Sequence, residues 1–156
     1  MVTSPDGYVI WASNIKAAMI READSTYPYE TGGILLGRHY PGLLHVTHMI
    51  GPGPGARHYK TSFIPDRDWQ YEQIDALHHQ LSGSLNYLGD WHTHPQGSLS
   101  PSETDLDLLE AIAATPESRC PTPIMCILAG TGSGNWSETV IHYGVEQTST
   151  WEGTTN

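Results

Sequence analysis

Apolar positions recur along this chain with two periods, and the switches between them divide it into elements. Tyr8-Val9-Ile10-Trp11 is a short apolar run that predicts a strand or a packed lead-in. From Asn14 to about Asp24, Ile15, Ala18, Met19 and Ala23 recur at helical spacing, with Asn14 or Ser13 placed to cap the start. Residues 33–38 and 43–50 read as strands joined by a hairpin-like turn at Tyr40-Pro41-Gly42. The run Gly51-Pro52-Gly53-Pro54-Gly55 can form neither helix nor central strand, so it is a loop. A short strand follows at 61–64, then a helix opens at Pro65-Asp66 and runs to about Gly83 with Trp69, Ile74, Leu77 and Leu81 on its apolar face. Residues 85–91 predict a buried strand, and a further helix begins near Ser102 and ends near Thr115-Pro116. Residues 123–129 and 136–143 predict strands around a turn at 130–134. The content is α/β: a mixed sheet with two or three helices against it. One domain is expected over residues 1–145, with a polar tail over 146–156.

The chemistry concentrates between Asp90 and Leu109, where His92, His94, Ser102 and Asp105 stand at the spacing H-x-H-x7-S-x2-D. Residues two apart in a strand point to the same face, so His92 and His94 can converge on one ion. Asp105 falls in the first turn of the following helix and can reach back toward the strand end. Two imidazoles and a carboxylate leave one coordination position open, as a catalytic metal site requires; a closed structural zinc site takes a fourth ligand, usually Cys, and the segment has none. A simpler reading also stands, because Ser followed three residues later by Asp ahead of an apolar run is a capping box. His45 and His48 have opposite parity in their strand and stay outside the site.

With Tyr29-Glu30-Thr31-Gly32-Gly33-Ile34-Leu35-Leu36-Gly37 upstream and His92-Thr93-His94-Pro95, Ser102 and Asp105 downstream, the chain resembles the JAMM, or MPN-plus, zinc metalloproteases. The resemblance spans about Val9 to His142. It implies a curved MPN-type sheet similar to cytidine-deaminase-like architecture, and one zinc ion bound by His92, His94 and Asp105. It further implies Glu30 as general base and Ser102 as hydrogen-bond donor to the developing oxyanion. Gly32 and Gly33 suit a strand passing tightly beneath such a site, and they equally suit a turn.

The implied activity is cleavage after the C-terminal Gly-Gly of a ubiquitin-like protein or its conjugates. Small domains of this kind resemble prokaryotic versions, some of which accompany E1- and E2-like conjugation enzymes in anti-phage operons of the CBASS type and reverse conjugation. Other members of the resemblance process sulfur-carrier proteins, and MPN-minus relatives have lost the ligands and act as scaffolds; the filled ligand positions argue against the latter. An extended substrate tail would lie beside residues 33–38 or 96–101, as strand addition requires.

The formal net charge of −10 argues against nucleic-acid binding and against relatives similar to the RadC group; it suits a basic partner instead. Cys120 and Cys126 lack metal-ligand spacing and are expected as buried free thiols. With no apolar run of about 18 residues and no secretory signal, a cytoplasmic protein without a membrane segment is expected.

Overall fold

The computed structural model describes residues 8–144, 150–151 and 153–155. Its elements are β1 (Tyr8–Trp11), α1 (Ile15–Thr26), β2 (Gly32–Tyr40), β3 (Leu43–Ile50), β4 (Arg57–His58), β5 (Phe63–Ile64) and α2 (Arg67–Gln80). They continue with β6 (Asn86–Pro95), α3 (Glu103–Ala114), β7 (Ile124–Gly130), β8 (Trp136–His142), β9 (Thr150–Trp151) and β10 (Gly153–Thr155). Eight strands form one mixed sheet in the order β10-β1-β3-β2-β6-β7-β8-β9, and β4 and β5 form a separate small hairpin. Only residue 152 separates β9 from β10, so the two edges of the main sheet meet and the sheet curls. The polar tail expected from residue 146 falls partly outside the described residues, as does the packing of Trp151; its described pieces are these two edge strands.

Strand parity sorts the core into layers. On one face α1 lays Ile15, Met19 and Ala23 against Val9, Trp11, Leu35, Val46, Trp91 and Leu128. On the other face α2 covers Ile34, Leu36, Ile50 and Leu85 with Trp69, Ile74, Leu77 and Leu81, the apolar positions its period predicts. Beside it, α3 packs Leu109 against Met125, Ile127 and Ile141. The apolar run of α3 is only partly used, since Leu106 and Leu108 are exposed. Between these two half-cores the sheet face carries polar residues, and the site lies in that gap.

Several local expectations change once the chain is folded. Asn14 takes the cap position of α1, but its side chain makes no capping hydrogen bond and instead accepts one from the Ser13 hydroxyl at 3.2 Å. The expected strand at 61–64 shortens to β5 and gains a partner, β4, that no periodicity announced. Asp66 caps α2 by accepting from Trp69 N–H at 3.2 Å and also accepts from Gly55 N–H at 3.0 Å, which ties down the Gly-Pro loop. The alternative of a substrate tail beside residues 33–38 is overturned, because β2 pairs with β3 on one side and β6 on the other and has no free edge. Among the described residues no helix is long and apolar enough to cross a membrane.

Candidate metal centre

Strand β6 runs through the histidines to Pro95, so His92 and His94 do share a face, the one between α2 and α3. Their Nε2 atoms lie 3.0 Å apart. His94 Nδ1 is 2.7 Å from the Ser98 carbonyl oxygen; that oxygen can only accept, so Nδ1 carries the proton and Nε2 presents a lone pair. Asp105 brings Oδ1 within 3.2 Å of His92 Nε2 and Oδ2 within 3.2 Å of His94 Nε2. The three ligand atoms lie within 4.8 Å of one another. The His94 Nε2 lone pair faces His92 Nε2 at 3.0 Å and the Asp105 carboxylate at 3.2 Å, an arrangement that needs a proton or a cation among these atoms, so the donor set fits a metal ion. Burial alone would raise the Asp105 carboxyl, but hydrogen bonds from both histidines, made when their Nε2 atoms carry a proton, hold it well below the usual carboxylate range. The same carboxylate, ahead of the burial that opposes it, raises His94.

The capping box is present as well, and it shares atoms with the metal group. Asp105 N–H donates to Ser102 Oγ at 3.0 Å, and Ser102 N–H donates to Asp105 Oδ2 at 2.8 Å. The helix start therefore orients the carboxylate that faces the histidines. Ser102 Oγ acts there only as an acceptor, which leaves its O–H proton directed to nothing among the described residues.

Glu30 reaches the site from the other side. Its N–H donates to the Tyr59 carbonyl at 2.7 Å, and its carbonyl oxygen accepts from His58 Nδ1 at 2.8 Å, so the β4–β5 hairpin clasps its backbone. The next residue, Thr31, donates its N–H to Thr93 Oγ1 at 3.0 Å, and Thr93 N–H returns a bond to the Thr31 carbonyl at 2.9 Å. Thr93 lies between the two histidines and points to the opposite face, so this clasp fixes Glu30 relative to them. Burial pushes the Glu30 carboxyl above its ordinary value, with His92 and His94 pulling part of the way back. Gly32 and Gly33 mark a close approach rather than a turn: a Cβ at Gly32 would collide with the Trp91 carbonyl, and one at Gly33 with the Ile50 carbonyl.

All five residues expected from sequence line one cavity of about 510 Å³: Glu30, His92, His94, Ser102 and Asp105. Sequence reasoning missed the residues that hold them, Thr31, Thr93, His58 and Tyr59, and it missed Asp90 on the cavity wall. Parity was the available signal: Asp90 is two residues from His92 and shares its face, and Thr93 has the opposite parity. Tyr87 shares that face too, though it is three residues from Asp90, because the register with β2 shifts by one residue at Leu88-Gly89. Burial raises the Asp90 carboxyl, against the opposing hydrogen bond from Tyr87.

A mixed sheet curled around a His-His-Asp group, with a half-buried Glu beside it, defines the JAB type of domain. Residues 12–142 match the family described as prokaryotic homologs of the JAB domain, and the chain belongs to that family. By that membership it is a hydrolytic metalloprotease. A Sinorhizobium fredii protein named probable metalloprotease y4qB is 40% identical over 132 residues, which cover 82% of this chain and 79% of that protein. A CD-NTase/cGAS isopeptidase of Enterobacter hormaechei is 41% identical over 61 residues, covering 39% of this chain and 34% of the relative. A JAB1/MPN domain protein from Archaeoglobus fulgidus superposes with a TM-score of 0.57 at 16% identity, over 96% of this chain and 98% of the other. A solution structure from Desulfitobacterium hafniense gives a TM-score of 0.69 at 18% identity, over 95% of this chain and 92% of the other.

Proposed function

We propose that the protein is a zinc-dependent isopeptidase or peptidase that cleaves after the C-terminal Gly-Gly of a ubiquitin-like protein or its conjugates. The observation that carries the reading is the convergence of His92 Nε2, His94 Nε2 and the Asp105 carboxylate within 4.8 Å, in the same cavity as Glu30. His92, His94 and Asp105 would hold the ion. Zinc, when bound, supplies a Lewis acid that polarises the scissile carbonyl and acidifies water.

The protein's own residues do the rest. Glu30 takes a proton from the attacking water and passes it to the amine nitrogen as the C–N bond breaks. Burial raises its carboxyl above the ordinary value, which helps it hold that proton between the two transfers. Ser102, whose hydroxyl proton is not engaged in the cap, donates to the carbonyl oxygen as negative charge gathers there. Of the two segments considered for the substrate tail, 96–101 is the one still open.

The relatives named CD-NTase/cGAS isopeptidases support a conjugate as substrate, and with it a role in reversing conjugation beside E1- and E2-like enzymes in an anti-phage system of the cytoplasm. The test is a cleavage assay on a Gly-Gly-linked ubiquitin-like conjugate, with zinc-loaded wild type against Glu30→Ala. Cleavage by the wild type alone, with zinc retained in both, is the expected result. If Glu30→Ala cleaves at the wild-type rate, Glu30 is not the base; if the wild type binds no zinc, the zinc-dependent reading fails.

A further inference from the structure

The cavity continues past the metal-ligating group along β6 to Asp90. This residue is 8% exposed and lines the cavity wall. Its Oδ1 accepts the Tyr87 hydroxyl at 2.6 Å. Its Oδ2 accepts no hydrogen bond from the described residues. Oδ2 is not fully enclosed: it opens onto the cavity, where a ligand can reach it. Nothing in the metal group or the Glu30 clasp uses it.

Its position says what would satisfy it. Two residues of strand span about 6.6–6.8 Å, so Asp90 stands that far along β6 from His92, which is also the spacing of two residues in an extended peptide laid along the strand. In such a peptide, N–H groups two residues apart point to the same side. Lys60 and Arg67 line the same cavity and the Arg67 charge already acts on the Asp90 carboxylate, so a further cationic group is disfavoured there. A neutral amide N–H is the donor that fits.

We propose that Asp90 is a substrate-binding residue whose free carboxylate oxygen accepts a backbone N–H of an extended peptide substrate, two residues from the bond that is cleaved. This rests on the hydrolytic reading above. A substrate without that N–H would leave this oxygen to water and forgo the bond.

The test uses the zinc-loaded full chain, wild type and Asp90→Asn, on a ubiquitin-like protein joined through Gly-Gly to a peptide extension. In the variant the Tyr87 hydroxyl claims the carboxamide oxygen and the amide nitrogen faces the cavity, so an acceptor becomes a donor. The expected result is a rise in KM of about 10- to 100-fold with kcat nearly kept, unchanged zinc content and a melting temperature no lower than wild type. A second arm places a single N-methyl amino acid at each residue on either side of the cleaved bond. Methylation at one position, two residues from that bond, should cost the wild type about tenfold or more and cost Asp90→Asn nothing further.

A wild-type KM in Asp90→Asn overturns the proposal, and so does a lowered melting temperature with unchanged KM, which would make Asp90 a support for Tyr87. If Asp90→Asn does not fold, the N-methyl scan of the wild type decides alone, and the absence of a penalised position overturns the proposal. Failure of the wild type to cleave any Gly-Gly conjugate overturns the Gly-Gly isopeptidase reading itself and takes this inference with it.

Discussion

Replacing Ser102 separates two tasks that one hydroxyl performs with different atoms. Its oxygen accepts the Asp105 N–H at 3.0 Å and so caps α3, while its proton is free to reach substrate in the cavity. Alanine removes both tasks. Loss of a Ser cap costs about 1 kcal/mol, which in a domain of this size lowers the melting temperature by roughly 2–4 °C. Glycine is the cleaner probe, because it serves as a cap within a few tenths of a kcal/mol and carries no hydroxyl.

Loss of one oxyanion donor lowers kcat by about 10²–10³, equivalent to roughly 2.7–4 kcal/mol. The catalytic term therefore exceeds the capping term severalfold, and Ser102→Gly exposes it nearly alone. The metal should stay in both variants, since the bond from Ser102 N–H to Asp105 Oδ2 comes from the backbone and survives either change. The assay is kcat on a Gly-Gly-linked conjugate, alongside zinc content and a thermal melt. If Ser102→Gly keeps its rate within about threefold of wild type, with full zinc, the serine is a cap and nothing more. Parallel losses of zinc and stability in both variants would place its whole effect in the capping box.

Other perturbations read other parts of the site. Asp105→Ala removes the carboxylate facing both Nε2 atoms and the acceptor of Ser102 N–H, so it should lose the metal and about 1 kcal/mol of stability; stoichiometric zinc in that variant would strike Asp105 from the ligand set. Thr93→Val takes away the buried acceptor of Thr31 N–H and should destabilise by about 1–3 kcal/mol, slowing turnover with zinc retained because Glu30 loses its clasp. Wild-type melting and wild-type kcat in Thr93→Val would refute that account. Burial lowers the His142 pKa, so the unfolded chain gains a proton near pH 6.5 while the folded one resists it. The neutral fold is favoured above that value, stability falls as the pH drops through it, and the loss levels off below the lowered folded pKa. The melting temperature of His142→Gln relative to wild type should accordingly rise between about pH 7.5 and pH 5.5; a difference independent of pH contradicts the assignment.

Much of this site is written in short-range order. Strand periodicity alone puts His92 and His94 on one face, and the Ser102–Asp105 spacing puts a carboxylate in the first turn of α3, because both patterns follow from backbone geometry over a few residues. The apolar period of α2 and the bounds of β3 were legible for the same reason.

What needed the tertiary structure is what depends on pairing between distant segments. Glu30 joins the histidines only because β2 pairs with β6, with Gly32 opposite His92 and Thr31 clasped to Thr93 across 62 positions of sequence. Tyr87 meets Asp90 only because one shifted residue at Leu88-Gly89 changes the parity of β6, and a strand pattern read alone counts straight through such a shift. The absence of a free edge on β2, and the use of residues 150–155 to join the sheet's two edges, follow from strand order, which local periodicity does not encode.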